Sequence, residues 1–223
     1  MTEEELLDRK VEIETTVTCP HKLDCTKCGE KCKELIEYER ICQELTRKRT
    51  NKRWVIADTH FGHKNIIAYA ERPFKDLDEM AEELIKRWNN KVSKDDIVYM
   101  LGDFTLTRNK EYIAEMANKL NGKKVLVMGN HDTRKPKDYL ECGFEVAIRK
   151  PILVEHDVVL MHEPPYKDQM VPGMKYIFGH VHDTLCEADE EPNCFCVSVE
   201  RINYTPVDLD VIIEMLNNRL HKE

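Results

Sequence analysis

Five apolar runs in this chain each stop at residues that bind metals or protons. "VIADTH" runs into Asp58 and His60, and "YMLGD" into Asp103. "VMGNHD" ends in Asn130, His131 and Asp132, "VVLMH" in His162, and "YIFGHVH" in His180 and His182. Short apolar runs bounded by glycine or by polar residues read as buried strands. In an open α/β sheet the carboxyl ends of parallel strands form one rim, where ligands bind. A chain that repeats this ending five times must therefore fold so that separate strand ends face a common pocket.

The intervening segments supply the layers such a sheet needs. "DLDEMAEELIKRWNNKV" puts Leu77, Met80, Ala81, Leu84, Ile85 and Trp88 on one helical face. "NKEYIAEMANKL" is a second helix, and "FGHKNIIAYAERPF" holds a short one that stops near Arg72, ahead of Pro73. Strand and helix alternate in the first half, as in parallel α/β units. The second half is strand-rich. "KPILVEHDVVLMHEPP" reads as two strands turning at His156–Asp157, "MKYIFGHVH" and "FCVSVER" as further strands, and a last helix starts near Asp208.

The residue types define the chemistry. Imidazole nitrogen and carboxylate oxygen together suit borderline divalent ions: zinc, manganese, iron or nickel. The strand ends offer too many groups for one ion and about enough for two that share a carboxylate. Two such ions clamp the attacking and leaving oxygens of a displacement at phosphorus, and lower the pKa of a bound water. Residues two apart on a strand point the same way, so Asp58 with His60, and His180 with His182, can each place two ligands on one side. One histidine beside a strand is ordinarily a solvated strand end; five such endings do not fit that reading.

In order, the chain reads "DTH" (58–60), "GD" (102–103), "GNHD" (129–132), "MH" (161–162) and "GHVH" (179–182). Across roughly residues 53–205 these motifs resemble the calcineurin-like metallophosphoesterase superfamily, in particular its small bacterial and phage-type members, whose first motif reads like "DTHFGHKNII". The resemblance implies an α/β fold, an αββα sandwich of two mixed β-sheets flanked by helices. It implies that Asp58, His60 and His182 hold one metal, that Asn130, His162 and His180 hold a second, and that Asp103 bridges them. His131 would face the substrate, stabilising charge or protonating the leaving oxygen, with Asp132 orienting it. Many members carry arginine or asparagine shortly after the Gly-Asp. Here the run is "GDFTLTR", and Arg108 reads instead as a surface arginine ahead of the next helix. His63 either touches substrate or caps the following helix. In the 163–175 loop, Tyr166, Lys167 and Lys175 either contact a base or phosphate or belong to a solvated segment.

Residues 1–50 have a different texture, charged and cysteine-rich, against a catalytic domain over 51–223. "CPHKLDCTKCGEKC" places Cys19, Cys25, Cys28 and Cys32 at knuckle-like spacing, a candidate structural zinc site with His21 as a substitute ligand. The basic run 46–53 beside it reads as a linker or as a contact for a phosphate-rich partner. The acidic start lacks a signal-peptide pattern, and no run is long and apolar enough to span a membrane, so a cytoplasmic protein with reduced thiols is expected. The net charge of −8 argues against a generally basic nucleic-acid surface. The resemblance then implies a dinuclear phosphodiesterase acting on nucleotides or related small phosphodiesters through attack of metal-bound hydroxide. A metal-dependent nuclease acting on DNA or RNA is the alternative.

Overall fold

The structure, a computed structural model, describes Glu5 and residues 51–220. The cysteine-rich extension, with Cys19, Cys25, Cys28, Cys32 and His21, lies outside the described residues.

Two sheets pack face to face. The first has the order β4-β3-β2-β1-β9, from β1 (Arg53–Ile56), β2 (Ile97–Met100), β3 (Lys123–Val127), β4 (Val146–Ile148) and β9 (Val207–Asp208). Strands β1 to β4 run parallel and β9 antiparallel. The second has the order β5-β6-β7-β8, from β5 (Ile152–Val154), β6 (Val158–Leu160), β7 (Lys175–Phe178) and β8 (Cys194–Cys196), with only the β5–β6 pair antiparallel. Both sheets are thus mixed, and helices flank them, as the sequence resemblance implies.

The sandwich follows from β1, which is buried on both faces. Ile56, with Val98 and Met100 of β2, faces a cluster built with the helices α2 (Leu77–Lys91) and α3 (Lys110–Lys119) through Met80, Leu84, Trp88 and Ile113. Val55 faces the other way, into an inter-sheet cluster with Val127, Leu160 and Ile177. Apolar alternation supplies both faces at once, which a half-exposed sheet would not need. The helix α2 starts where Asp76 accepts the Glu79 N–H at 2.9 Å, and buries the predicted stripe. The short α1 (Ile66–Tyr69) precedes it, α4 (Pro136–Glu141) lies between β3 and β4, and α5 (Leu209–Leu220) adds Leu209, Ile212 and Leu216 to the inter-sheet cluster. Cys194 and Cys196 are free thiols buried on the outer face of the second sheet, with Tyr176 and Phe178. No described helix is long and apolar enough to cross a membrane.

The sheets are stitched together at the rim. Ala57 donates to the Val197 carbonyl at 2.9 Å and accepts from the Val199 N–H at 3.2 Å. This joint carries the residues after β1 and those after β8 to the same end of the sandwich.

Candidate metal centre

None of the motif carboxylates or imidazoles lies on a strand. β1 ends at Ile56 and β7 at Phe178, and the chain then enters sharp turns. Asp58, His60, Asp103, His180 and His182 all have φ between 49° and 73°, the left-handed region that non-glycine residues rarely occupy. Five strained residues in one pocket mark a site that the surrounding fold over-determines. The turns also overrule strand parity. His180 and His182 do not stay together: His182 joins Asp58 and His60, whereas His180 joins Asp103 and His162. In each group the ligating atoms lie within 4.8 Å of one another.

One carboxylate oxygen stands between the groups. Asp103 Oδ2 is 3.6 Å from His60 Nε2 and 3.5 Å from His162 Nε2. Asn130 Oδ1 lies 2.9 Å from His162 Nε2 and 3.1 Å from His180 Nδ1. The atoms facing inward are left bare while their partners are tied down. Asp58 Oδ2 accepts from Ser198 Oγ at 2.7 Å and from the His180 N–H at 2.8 Å, but Asp58 Oδ1 is buried with no hydrogen-bond partner. His60 Nε2 is likewise buried and unpartnered, while its Nδ1 lies 3.4 Å from His63 Nδ1. Bare buried polar atoms are costly unless something charged or polar meets them. Mixed nitrogen and oxygen donors aimed at two adjacent points fit a pair of divalent cations.

A family model described as calcineurin-like phosphoesterase matches residues 52–184, which hold all seven of these motif ligands. The chain belongs to this family. It is 39% identical over 172 residues to the uncharacterized protein MJ1445 of Methanocaldococcus jannaschii, covering 74% of this chain and 91% of that protein. It is 34% identical over 162 residues to the gene 66 protein of Mycobacterium phage L5, covering 59% of this chain and 78% of the phage protein. Among solved structures, a protein of unknown function from Aquifex aeolicus, AQ665, superposes with a TM-score of 0.58 at 25% identity, over 74% of this chain and all of the other.

In this calcineurin-like site the electrostatics bear on how ligands are kept ready. Burial pushes the Asp58 carboxyl up to about 6, and the charge of Asp103 adds to it, against the neighbouring imidazoles and the Ser198 hydroxyl. Burial, then the Arg72 charge and neighbouring imidazoles, hold His60 far below the usual imidazole range, so it stays neutral, as a metal ligand must. Burial acts most strongly on His182 and lowers it, but the hydrogen bond to Glu200 Oε1 at 3.0 Å and the charges of Glu200 and Asp58 together raise it. That bond engages Nδ1, so Nε2 is the nitrogen left to offer a metal, the usual arrangement for a ligating histidine.

Glu200 and Arg72 escape any motif reading. Arg72 donates to the Asp58 carbonyl at 2.7 Å and the Thr59 carbonyl at 3.0 Å, and pairs with Glu200 at 2.8 Å. One buried guanidinium thus fixes the strained "DTH" backbone and the carboxylate that aims His182. Its only sequence signal is an arginine placed before Pro73, where a surface residue is the default.

Other expectations need correcting. Asp132 does not orient His131. It is fully buried, and its carboxylate accepts from the backbone N–H of Asp103 at 2.8 Å, Gly129 at 2.9 Å and Phe104 at 3.2 Å. Three loop amides and the Tyr139 hydroxyl, 3.4 Å away, occupy the roughly four acceptor positions of the carboxylate, leaving none for the ring one residue back. Lys175 does not face substrate either: it is buried and paired with Asp157. Lys167 pairs with Glu191 at 2.6 Å, and Tyr166 is exposed. Arg108 is exposed just ahead of α3, its Nε 3.3 Å from Thr133 Oγ1.

Gly129 packs against the Asp103 carboxylate. A methyl built there would stand 2.2 Å from Asp103 Oδ1 and 2.7 Å from the Asp103 nitrogen. Gly129→Ala should therefore displace Asp103 and weaken metal binding about tenfold or more, the scale seen when support for a ligand is disturbed. Calorimetric manganese titration measures it; unchanged affinity would show that the loop yields without moving Asp103.

Proposed function

We propose that the protein is a metal-dependent phosphodiesterase that hydrolyses nucleotides and related small phosphodiesters. Asp58, His60 and His182 would hold one divalent ion, Asn130, His162 and His180 the other, and Asp103 both. The observation that carries this is the position of Asp103 Oδ2, about equally far from a nitrogen of each group. Two divalent ions bound there supply Lewis acidity at phosphorus and lower the pKa of water. Manganese, zinc, iron and nickel all suit the donors.

The chain's own residues supply the rest. His131 belongs to neither ligand group; its side chain is 38% exposed, and its Nε2 lies 3.9 Å from Asp103 Oδ2. In this reading it donates a proton to the leaving oxygen. Its backbone N–H donates to Asp103 Oδ1 at 2.9 Å, so the acid and the shared carboxylate move as one unit. Asn130 is exposed and His180 and His182 are half-buried, so the site is open enough for both ester arms of a diester. In this reading residues 51–223 are the catalytic domain of a cytoplasmic enzyme, and residues 1–50 are an extension that binds structural zinc through Cys19, Cys25, Cys28 and Cys32.

The test is hydrolysis by the manganese-loaded protein of bis(p-nitrophenyl) phosphate against p-nitrophenyl phosphate. The diester is expected to be the better substrate, and preference for the monoester, or no turnover of either, would overturn the reading. His131→Ala should keep two metals per chain and lose about 10²-fold in kcat, as expected for general acid catalysis. If metal content fell with activity, His131 would be a ligand rather than the acid.

A further inference from the structure

The sequence repeats one tripeptide, Arg134-Lys135-Pro136 and Arg149-Lys150-Pro151. The first follows the "GNHD" turn after β3, and the second follows β4. These strands are parallel, with Val127 opposite Ile148, so both tripeptides leave the sheet at the end where Asp58, Asp103 and Asn130 leave it. Neighbouring strands lie about 4.8 Å apart, so the second tripeptide stands one strand further along the same rim.

The guanidinium groups here are held in a row by neutral acceptors. Arg149 donates to the Arg134 carbonyl at 2.7 Å, and Arg134 to the Arg108 carbonyl at 2.6 Å. Arg108 in turn reaches Thr133, two residues from His131. Carbonyl acceptors orient an arginine without cancelling its charge. Among the described residues, one carboxylate forms an ion pair with this set: Asp138, 3.2 Å from Arg134 Nε. Lys135 and Lys150 are exposed and form no ion pair among the described residues. The row starts beside the metal centre and runs to the sheet edge, and of its members Arg134 alone forms an ion pair among the described residues.

We infer that this rim binds phosphates flanking the scissile one, and that the substrate is a nucleic-acid strand laid along the carboxyl ends of β3 and β4. The inference rests on the phosphodiesterase reading and extends its substrates from small diesters to a strand carrying several phosphates. Arginine and lysine at successive positions suit such a backbone, and their contacts make binding salt-dependent.

The experiment uses the full chain and the charge-reversal variant R149E/K150E, neither residue being part of the metal centre. The variant should lose about tenfold in kcat/KM on a 12-nucleotide single strand and keep wild-type turnover of bis(p-nitrophenyl) phosphate, with R149Q/K150Q between the two. In fluorescence anisotropy, affinity for a phosphorothioate 12-mer should fall by a similar factor, with a shallower dependence on salt. Equal losses on both substrates, or no loss on the strand, would overturn the inference. Binding of anionic vesicles or polyglutamate as tightly as the 12-mer would overturn it too, as bulk charge attraction only. If the wild-type protein hydrolysed neither diester, the catalytic reading would fall alone. The anisotropy comparison would still decide the rim, for it if reversal weakens binding and against it if binding is unchanged. Single-stranded DNA, single-stranded RNA and duplex arms then identify which strand is gripped.

Discussion

Asp103→Asn should lower metal-dependent diester hydrolysis by on the order of 10³-fold or more, and reduce bound manganese below two ions per chain. The Asp103 carboxylate is buried, and its Oδ2 lies between the two ligand sets, 3.6 Å from His60 Nε2 and 3.5 Å from His162 Nε2. Stabilisation of charge at phosphorus by bound cations is worth several kcal/mol, and each 1.36 kcal/mol is tenfold in rate. Asparagine keeps the shape and the oxygen that accepts the His131 N–H, so the fold should survive. The metal-free protein should respond in the opposite sense. Without cations, the charge of Asp103 adds to the burial that already disfavours an ionised Asp58. Removing that charge should raise the melting temperature of EDTA-treated protein while lowering that of manganese-loaded protein. Metal analysis and paired melting curves measure both. Full occupancy of two ions in the variant would remove Asp103 from the bridging role.

The strands and ligands were legible because their signals are local. β1, β2 and β3 each combine an apolar run with a Gly or Asp stop, and α2 shows its stripe in six residues. β9 is only two residues long, too short for any periodicity to mark. The turns at Asp58 and His180 were hidden for a different reason. Left-handed backbone at a non-glycine residue has no sequence signature, and one such residue rotates the next side chain away from the strand's alternation. Hence strand parity put His180 with His182, whereas the turn separates them. Ser198, Glu200 and Arg72 were illegible because their partners are remote: Ser198 meets Asp58 across 140 residues, and Arg72 meets Glu200 across 128. The motif histidines announce what binds; the residues that aim them are set by the closure of two sheets on each other.

Asp132→Ala should destabilise the fold by about 4 kcal/mol, more than any other single change around the site. Three buried backbone donors, those of Gly129, Asp103 and Phe104, point at its carboxylate, and the Tyr139 hydroxyl lies 3.4 Å away. Leaving a buried donor unmet costs roughly 1–3 kcal/mol, and partial relaxation keeps the sum below three full penalties. Because one carboxylate oxygen serves both Asp103 and Gly129, it bolts the loop after β2 to the loop after β3. Its loss should therefore loosen Asp103 and lower metal affinity as well. Asp132→Asn should recover only part of the stability, since one amide edge sets a donor against donors. The pH–rate profile separates this bolt from an orienting partner for His131. In the bolt role, the folded variant keeps the wild-type limb assigned to His131 while its urea midpoint falls. A shifted limb with an unchanged midpoint would return Asp132 to the histidine.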